Sequence, residues 1–240
     1  MALDNLLARN RAWSARVSEQ DPHFFDRLAK IQTPAYYWIG CSDSRVPSNQ
    51  ILDLAPGEVF THRNVANLLP PGDLNSLSTL QFAVDVLGVR HVMIVGHYGC
   101  SGIRASLEGA RLGLVDTWLG HVQDVQVRHH KLLSELPHPA RVDRLCELNV
   151  AEQFMNVCRT HIVNDAWKSG KQLAVHGLIY ALEDGLLREM GLSAGNAGEA
   201  EQSYQEFIER AAGCQDRASS SSHEAHVSCS HASCSAGLPV

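Results

Sequence analysis

Three side chains able to bind a soft metal ion, Cys41, His97 and Cys100, follow short apolar runs in this sequence. Two thiolates and an imidazole are a common tetrahedral zinc set with one position left open, which marks a catalytic rather than a structural site. Sulfur ligands favour zinc over magnesium or calcium. Only two residues separate His97 from Cys100, a spacing that suits a chelating turn. For any one of the three alone, a buried small hydrophobe or a hydrogen-bonded core histidine is the commoner occupant. Their joint occurrence after strand-like runs raises the metal reading. Asp43 and Arg45 lie two apart in the loop after Cys41. A free Asp43 is a possible fourth ligand, whereas an Asp43 paired bidentately with Arg45 is held away and can accept a hydrogen bond from a metal-bound water. The plain alternative is a surface ion pair of about 0 to 1 kcal/mol.

To converge, these residues need strands whose carboxyl ends share one edge of a sheet. The run Ala-Tyr-Tyr-Trp-Ile-Gly at 35–40 reads as a buried strand, and 58–61, 91–96 and 172–179 are further short apolar runs bounded by glycine or polar residues. Helical spacing predicts a helix over 3–19 broken near Asn10, a short one opened by Pro22, and others over 75–87, 101–112, 121–133 and 140–168. Strands alternating with helices imply an α/β fold around a largely parallel sheet. If the strands before Cys41 and His97 are neighbours, both loops open at the same edge. Cys146 and Cys158 fall on the long helix and are expected to pack as free buried thiols.

The chain has 240 residues, 45% hydrophobic and 19% charged, enough to bury one sizeable core. Twenty Lys+Arg against 26 Asp+Glu give a net charge of -6. No dense basic face is available for phosphates, so nucleic acid is not an expected partner. Asp4, Arg9, Arg11 and Arg16 interrupt the first twenty residues, and no later run reaches the roughly 18 uncharged apolar residues of a membrane span. Seven scattered cysteines fit a reducing compartment. The expectation is a cytoplasmic protein with no membrane partner.

Cys41-Ser-Asp-Ser-Arg45, Arg63-Asn-Val-Ala-Asn67 and His97-Tyr-Gly-Cys100 together resemble the β-class carbonic anhydrases, over about Asp4 to Phe207. Within that family the chain looks most like the bacterial, allosteric (type II) enzymes whose zinc can be capped by the aspartate. The resemblance implies one zinc per subunit on Cys41, His97 and Cys100, with Asp43 as a ligand in the closed state only, and reversible hydration of carbon dioxide to bicarbonate. It implies a gating dyad of Asp43 and Arg45, opened and closed by pH and bicarbonate, with protonation at lower pH releasing Asp43 from Arg45. Gln32, Phe60, Val65, Phe82, Ser101 and Gly102 match substrate-side positions, Phe82 reaching across from a partner subunit. Ser101 departs from the glycine of many relatives, keeping the backbone N–H but adding a hydroxymethyl group. Trp38, Arg63 and Tyr180 match a trio that holds bicarbonate at a non-catalytic site. The implied fold is a central sheet of four parallel strands with an additional antiparallel one, flanked by helices, in a homodimer that can pair into a homotetramer.

The resulting organisation is an N-terminal helical arm (1–30) packing on the partner subunit, a zinc-binding α/β catalytic domain (31–212), and a Ser/His/Cys-rich disordered tail (213–240). His223, His226, Cys229, His231 and Cys234, with Cys214 upstream, offer donors for a second, labile metal site, against the plainer reading of a polar extension with no such role. Two other activities fit the same metal set: a carbon disulfide or carbonyl sulfide hydrolase, and a non-catalytic zinc protein in which Asp43 permanently fills the open position.

Overall fold

In the computed structural model, residues 2–30 and 32–224 are described. Five strands, β1 (Tyr36–Cys41), β2 (Val59–Asn64), β3 (His91–His97), β4 (Ala174–Ala181) and β5 (Leu186–Ala194), form one sheet in the order β2-β1-β3-β4-β5. The first four are mutually parallel and β5 pairs antiparallel with β4. β1 and β3 are apolar and buried along almost their whole length, as strands covered on both faces must be. Sequence reading placed four strands and left β5 unlocated. Its burial alternates and it lies at the sheet edge, so it carries no continuous apolar run.

The helices are α1 (Ala2–Gln20), α2 (Phe24–Lys30), α3 (Ser48–Leu52), α4 (Leu74–Gln81), α5 (Ser101–Glu108), α6 (Leu114–Arg128), α7 (His130–Ser134), α8 (His138–Cys158), α9 (His161–Lys168) and α10 (Ala197–Glu224). The break expected near Asn10 is absent, because Asn10 sits among good helix formers. α4 begins at Asp73, whose carboxylate accepts from the amides of Asn75 and Ser76, and continues as a π-helical stretch over Phe82–Leu87. The helix expected over 101–112 stops at Glu108, where Gly109 takes φ 65°. The expected 121–133 helix starts earlier and is divided at His129. The long 140–168 helix is two helices, because Thr160 leaves helical geometry and its hydroxyl accepts from the Val163 amide to start α9. α10 runs to Glu224, past the boundary at 213 beyond which disorder was expected. The tail histidines and cysteines from His226 onward lie outside the described residues, and the side chains of Cys214 and His223 are likewise undescribed.

α8 is the helix against which the sheet is built. A Cβ on Gly96 of β3 would lie 2.4 Å from Val150 Cγ2, and one on Gly177 of β4 would lie 3.3 Å from Val150 Cγ1. Glycine at both positions lets the helix seat on the strands. Cys146 and Cys158 are buried free thiols on its inner face. Opposite, Trp38, Val46, Met93 and Val95 form a second apolar cluster that Ile51 and Leu52 of α3 and Tyr180 of β4 help to close. α1 meets α2 through Trp13 against Phe25, ring centroids 5.6 Å apart, while Leu3, Leu6 and Leu7 remain exposed.

A buried carboxylate ties the outer helices to α8. Glu152 Oε1 accepts from His129 Nε2 at 2.7 Å and from the Tyr204 hydroxyl at 2.5 Å, and Oε2 pairs with Arg128. Burial raises its pKa, but these three partners outweigh burial and leave it lowered. Glu152→Ala is expected to cost about 3 kcal/mol in urea unfolding at neutral pH, because it strips partners from a buried network. A depressed carboxylate pKa stabilises the fold above the unfolded value, about 4.3. That contribution disappears as pH falls through the lower folded value, so the gap between variant and parent should close in acid.

Candidate metal centre

β1 and β3 are neighbours, so the loops at their carboxyl ends open at one edge of the sheet. The ligating atoms of Cys41, His97 and Cys100 lie within 4.8 Å of one another, and all three residues are buried. The sulfurs of Cys41 and Cys100 are 3.9 Å apart. Two sulfurs bound tetrahedrally at about 2.3 Å to one ion stand about 3.8 Å apart. His97 Nδ1 is 2.9 Å from the Tyr98 carbonyl oxygen and must donate to it. That bond fixes the tautomer and leaves Nε2 with a free lone pair. Nε2 is buried and has no hydrogen-bond partner among the described residues. A buried imidazole nitrogen without a partner, beside two thiols, is the donor set a soft cation requires, so the residues fit zinc.

The electrostatics agree. Cys41 is pulled down, first by its contact with the Cys100 sulfur and then by His97 and the backbone of Asp43 and Ala66, against the burial that raises it. Cys100 is pushed up by Cys41 and by burial.

Asp43 and Arg45 form the bidentate pair that their spacing permits. Arg45 Nε donates to Oδ1 at 2.9 Å, an Arg45 terminal N–H donates to Oδ2 at 2.7 Å, and the Arg45 amide also reaches Oδ1. The guanidinium holds the Asp43 carboxyl far below the ordinary carboxylate range. Asp43 Oδ2 is 3.8 Å from His97 Nε2, so the same carboxylate lies beside the ligand set. Arg45 also reaches the Gly99 carbonyl at 3.4 Å, and Gly99 adopts φ 67°, a left-handed turn that favours glycine.

A 530 Å³ cleft opens at this point, lined by the 41–45 loop, Val65, Cys100, Ser101 and Gly102. Ser101 and Gly102 begin α5, whose N-terminal amides favour negative charge. Of the expected substrate-side residues, Val65, Ser101 and Gly102 are therefore brought to the cleft. Gln32 is exposed and does not line it. Phe60 and Phe82 also stand outside it, with rings 5.8 Å apart, and Phe82 touches Phe60 of its own chain. Strand alternation and register put Trp38, Arg63 and Tyr180 on one face of the sheet. Trp38 Nε1 is buried without a partner among the described residues, but Arg63 donates to the carbonyls of Cys41 and Asp43. Sequence reading assigned nothing to Tyr98 and Gly99 as acceptors for His97 and Arg45, since a backbone carbonyl leaves no side-chain signal.

The family model for carbonic anhydrase matches residues 36–187. A carbonic anhydrase of Emericella nidulans is 43% identical over 190 residues, 79% of this chain and 83% of the relative. A Coccomyxa β-carbonic anhydrase solved with acetazolamide superposes with a TM-score of 0.79 at 37% identity, covering 82% of this chain and 90% of that one. One of two tetrameric β-carbonic anhydrases from the filamentous ascomycete Sordaria macrospora gives 0.77 at 36% identity, covering 80% and 98%.

Proposed function

The chain belongs to the β-class carbonic anhydrases and is a carbonic anhydrase, and from that premise we propose that Cys41, His97 and Cys100 hold one zinc ion per subunit where carbon dioxide is hydrated. The observation that carries this is the buried, unpartnered His97 Nε2 beside two sulfurs 3.9 Å apart. A zinc ion held by these three residues would supply hydroxide near neutral pH by lowering the pKa of a water bound to it. Asp43, fixed by Arg45, offers Oδ2 to the hydroxyl of the nucleophile and so orients its attack. Val65 supplies apolar wall, and the Ser101 amide at the start of α5 faces the oxygen on which charge develops. Gln32 and Phe60 belong to the substrate side, with Phe82 reaching across from the partner in a homodimer in which α1 covers its exposed leucines on the second subunit. A pairing of dimers agrees with the tetrameric Sordaria relatives. The four described cysteines are free thiols, which agrees with a cytoplasmic location.

The gate is a competition for Asp43 between Arg45 and the metal. The Arg45 guanidinium holds the Asp43 carboxyl well below the ordinary carboxylate range, so protonation of Asp43, the trigger expected from the resemblance, works against that pair. Bicarbonate is the better-supported trigger. Arg63 holds the Asp43 carbonyl, and an anion drawing Arg63 toward Trp38 and Tyr180 frees that main chain to turn Asp43 inward. Bicarbonate shifts the balance only by its preference for the closed state. The test is stopped-flow carbon dioxide hydration with zinc-assayed protein from about pH 6 to about pH 9, with and without bicarbonate at constant ionic strength. The expected rate rises with pH and is damped by bicarbonate, and Arg63→Ala relieves the damping with zinc retained. A rate at the buffer blank with one zinc per chain would overturn the hydratase assignment. Unchanged bicarbonate inhibition in Arg63→Ala would overturn the regulatory site alone.

A further inference from the structure

The segment joining β2 to α4 carries two consecutive non-glycine residues in the left-handed region, Ala66 at φ 66° and Asn67 at φ 48°. L-residues adopt this conformation only where the surroundings over-determine it, and such positions gather at functional sites. Both residues are buried, and the segment is clamped from several sides. Asn64 closes a ring with Leu68, its side chain accepting from the Leu68 amide and donating to the Leu68 carbonyl, each at 2.7 Å. Trp118 Nε1 donates to the Val65 carbonyl at 2.8 Å. From α8, Asn149 Nδ2 donates to the Ala66 carbonyl at 2.9 Å, and Gln153 Oε1 accepts from the Leu69 amide at 2.9 Å. Gln153 Nε2 donates in turn to Asn149 Oδ1 at 3.2 Å, so the two helix residues brace one another.

Asn149 and Gln153 are almost completely buried in the middle of a core helix, a place where polar amides are retained only when their hydrogen bonds are made. What they hold is the wall of the reaction cleft. Val65 lines that cleft, and its Cγ1 would lie 2.9 Å from a Cβ on Gly102. We infer that Asn149 and Gln153 are positioning residues for carbon dioxide hydration. Acting through the Ala66 carbonyl and the Leu69 amide, they fix the left-handed turn that sets Val65 in the cleft beside Cys41 and Cys100. The inference rests on the assignment of that cleft as the hydration site.

The test compares Asn149→Ala with the double variant Ala66→Gly/Asn149→Ala. Glycine takes a positive φ at no steric cost, so it supplies by backbone preference what the Asn149 bond supplies by tethering. Asn149→Ala is expected to lower kcat/KM for carbon dioxide about tenfold at unchanged zinc content per chain, and the double variant is expected to recover most of that loss. If Asn149→Ala does not fold, Asn149→Asp keeps the size and removes the donor, and takes the same comparison with Ala66→Gly/Asn149→Asp. A lowered melting temperature with kcat/KM per zinc-loaded enzyme unchanged would overturn the inference, leaving Asn149 a stability residue. A kinetic loss that Ala66→Gly does not recover would overturn it too. Failure of the hydration assignment is separately visible, as a parent enzyme that binds zinc and does not exceed the buffer blank.

Discussion

Cys100→Ser is expected to bind no zinc at stoichiometric metal and to hydrate carbon dioxide roughly a thousandfold or more slowly than the parent, while remaining folded. The separation of these effects comes from the geometry. The Cys100 sulfur lies 3.9 Å from the Cys41 sulfur, and a serine hydroxyl of nearly the same shape can occupy its place, so the core loses little. A hydroxyl does not ionise near neutral pH as a thiol does on binding zinc, so the donor set falls from two thiolates and an imidazole to one thiolate and an imidazole. Zinc per chain and the melting temperature with and without added zinc read this directly. A ligand that binds only the folded state raises the melting temperature of the parent, and the variant should show no such rise. Zinc retained at one per chain, with a rate within about tenfold of the parent, would remove Cys100 from the site.

Much of that centre was readable from residue types alone. Cys41 and His97 end apolar strands, Cys100 and the Asp43–Arg45 pair sit on the short loops that follow them, and local spacing fixes what such loops can do. The architecture was readable for a similar reason: fully buried parallel strands leave continuous apolar runs, whereas β5 at the edge leaves an alternation too weak to locate. Boundaries were less legible because single residues decide them. Thr160 splits an unbroken apolar periodicity, and Gly109 ends another. The supports of the site were not legible at all. Asn149 and Gln153 lie more than eighty positions from the segment they clamp, and only the crossing of α8 over the sheet brings them there. Gln32, Phe60 and Phe82 show the converse: motif matching named them, yet within one chain they stand apart from the cleft. The substrate role proposed for them calls on a second subunit, and intrachain packing gives no sign of its register.

Arg45→Ala is expected to keep its zinc and lose about a hundredfold in hydration rate, by a route different from ligand loss. In the parent, Asp43 spends both carboxylate oxygens on the Arg45 guanidinium, which with the Arg45 amide on Oδ1 holds Oδ2 at 3.8 Å from His97 Nε2 rather than closer to the ligand set. Without the guanidinium the carboxylate remains ionised at neutral pH, since an ordinary aspartate titrates near 3.9, and only the backbone amide at position 45, which bonds Oδ1, is left to hold it, so Oδ2 is free to turn to the metal. The variant should therefore bind small anionic inhibitors far more weakly than the parent across the neutral range. A rival account treats Arg45 as a surface ion-pair partner whose removal merely loosens the loop. The double variant Asp43→Ala/Arg45→Ala separates the two. If Asp43 caps the site, deleting it as well restores anion binding, although the rate stays low because the acceptor for the nucleophile's hydroxyl is gone. If the loop has only loosened, the second substitution restores neither. An Arg45→Ala enzyme with more than about a third of parental activity and unchanged anion affinity would return the pair to the status of a surface contact. The gate would then have to be sought elsewhere.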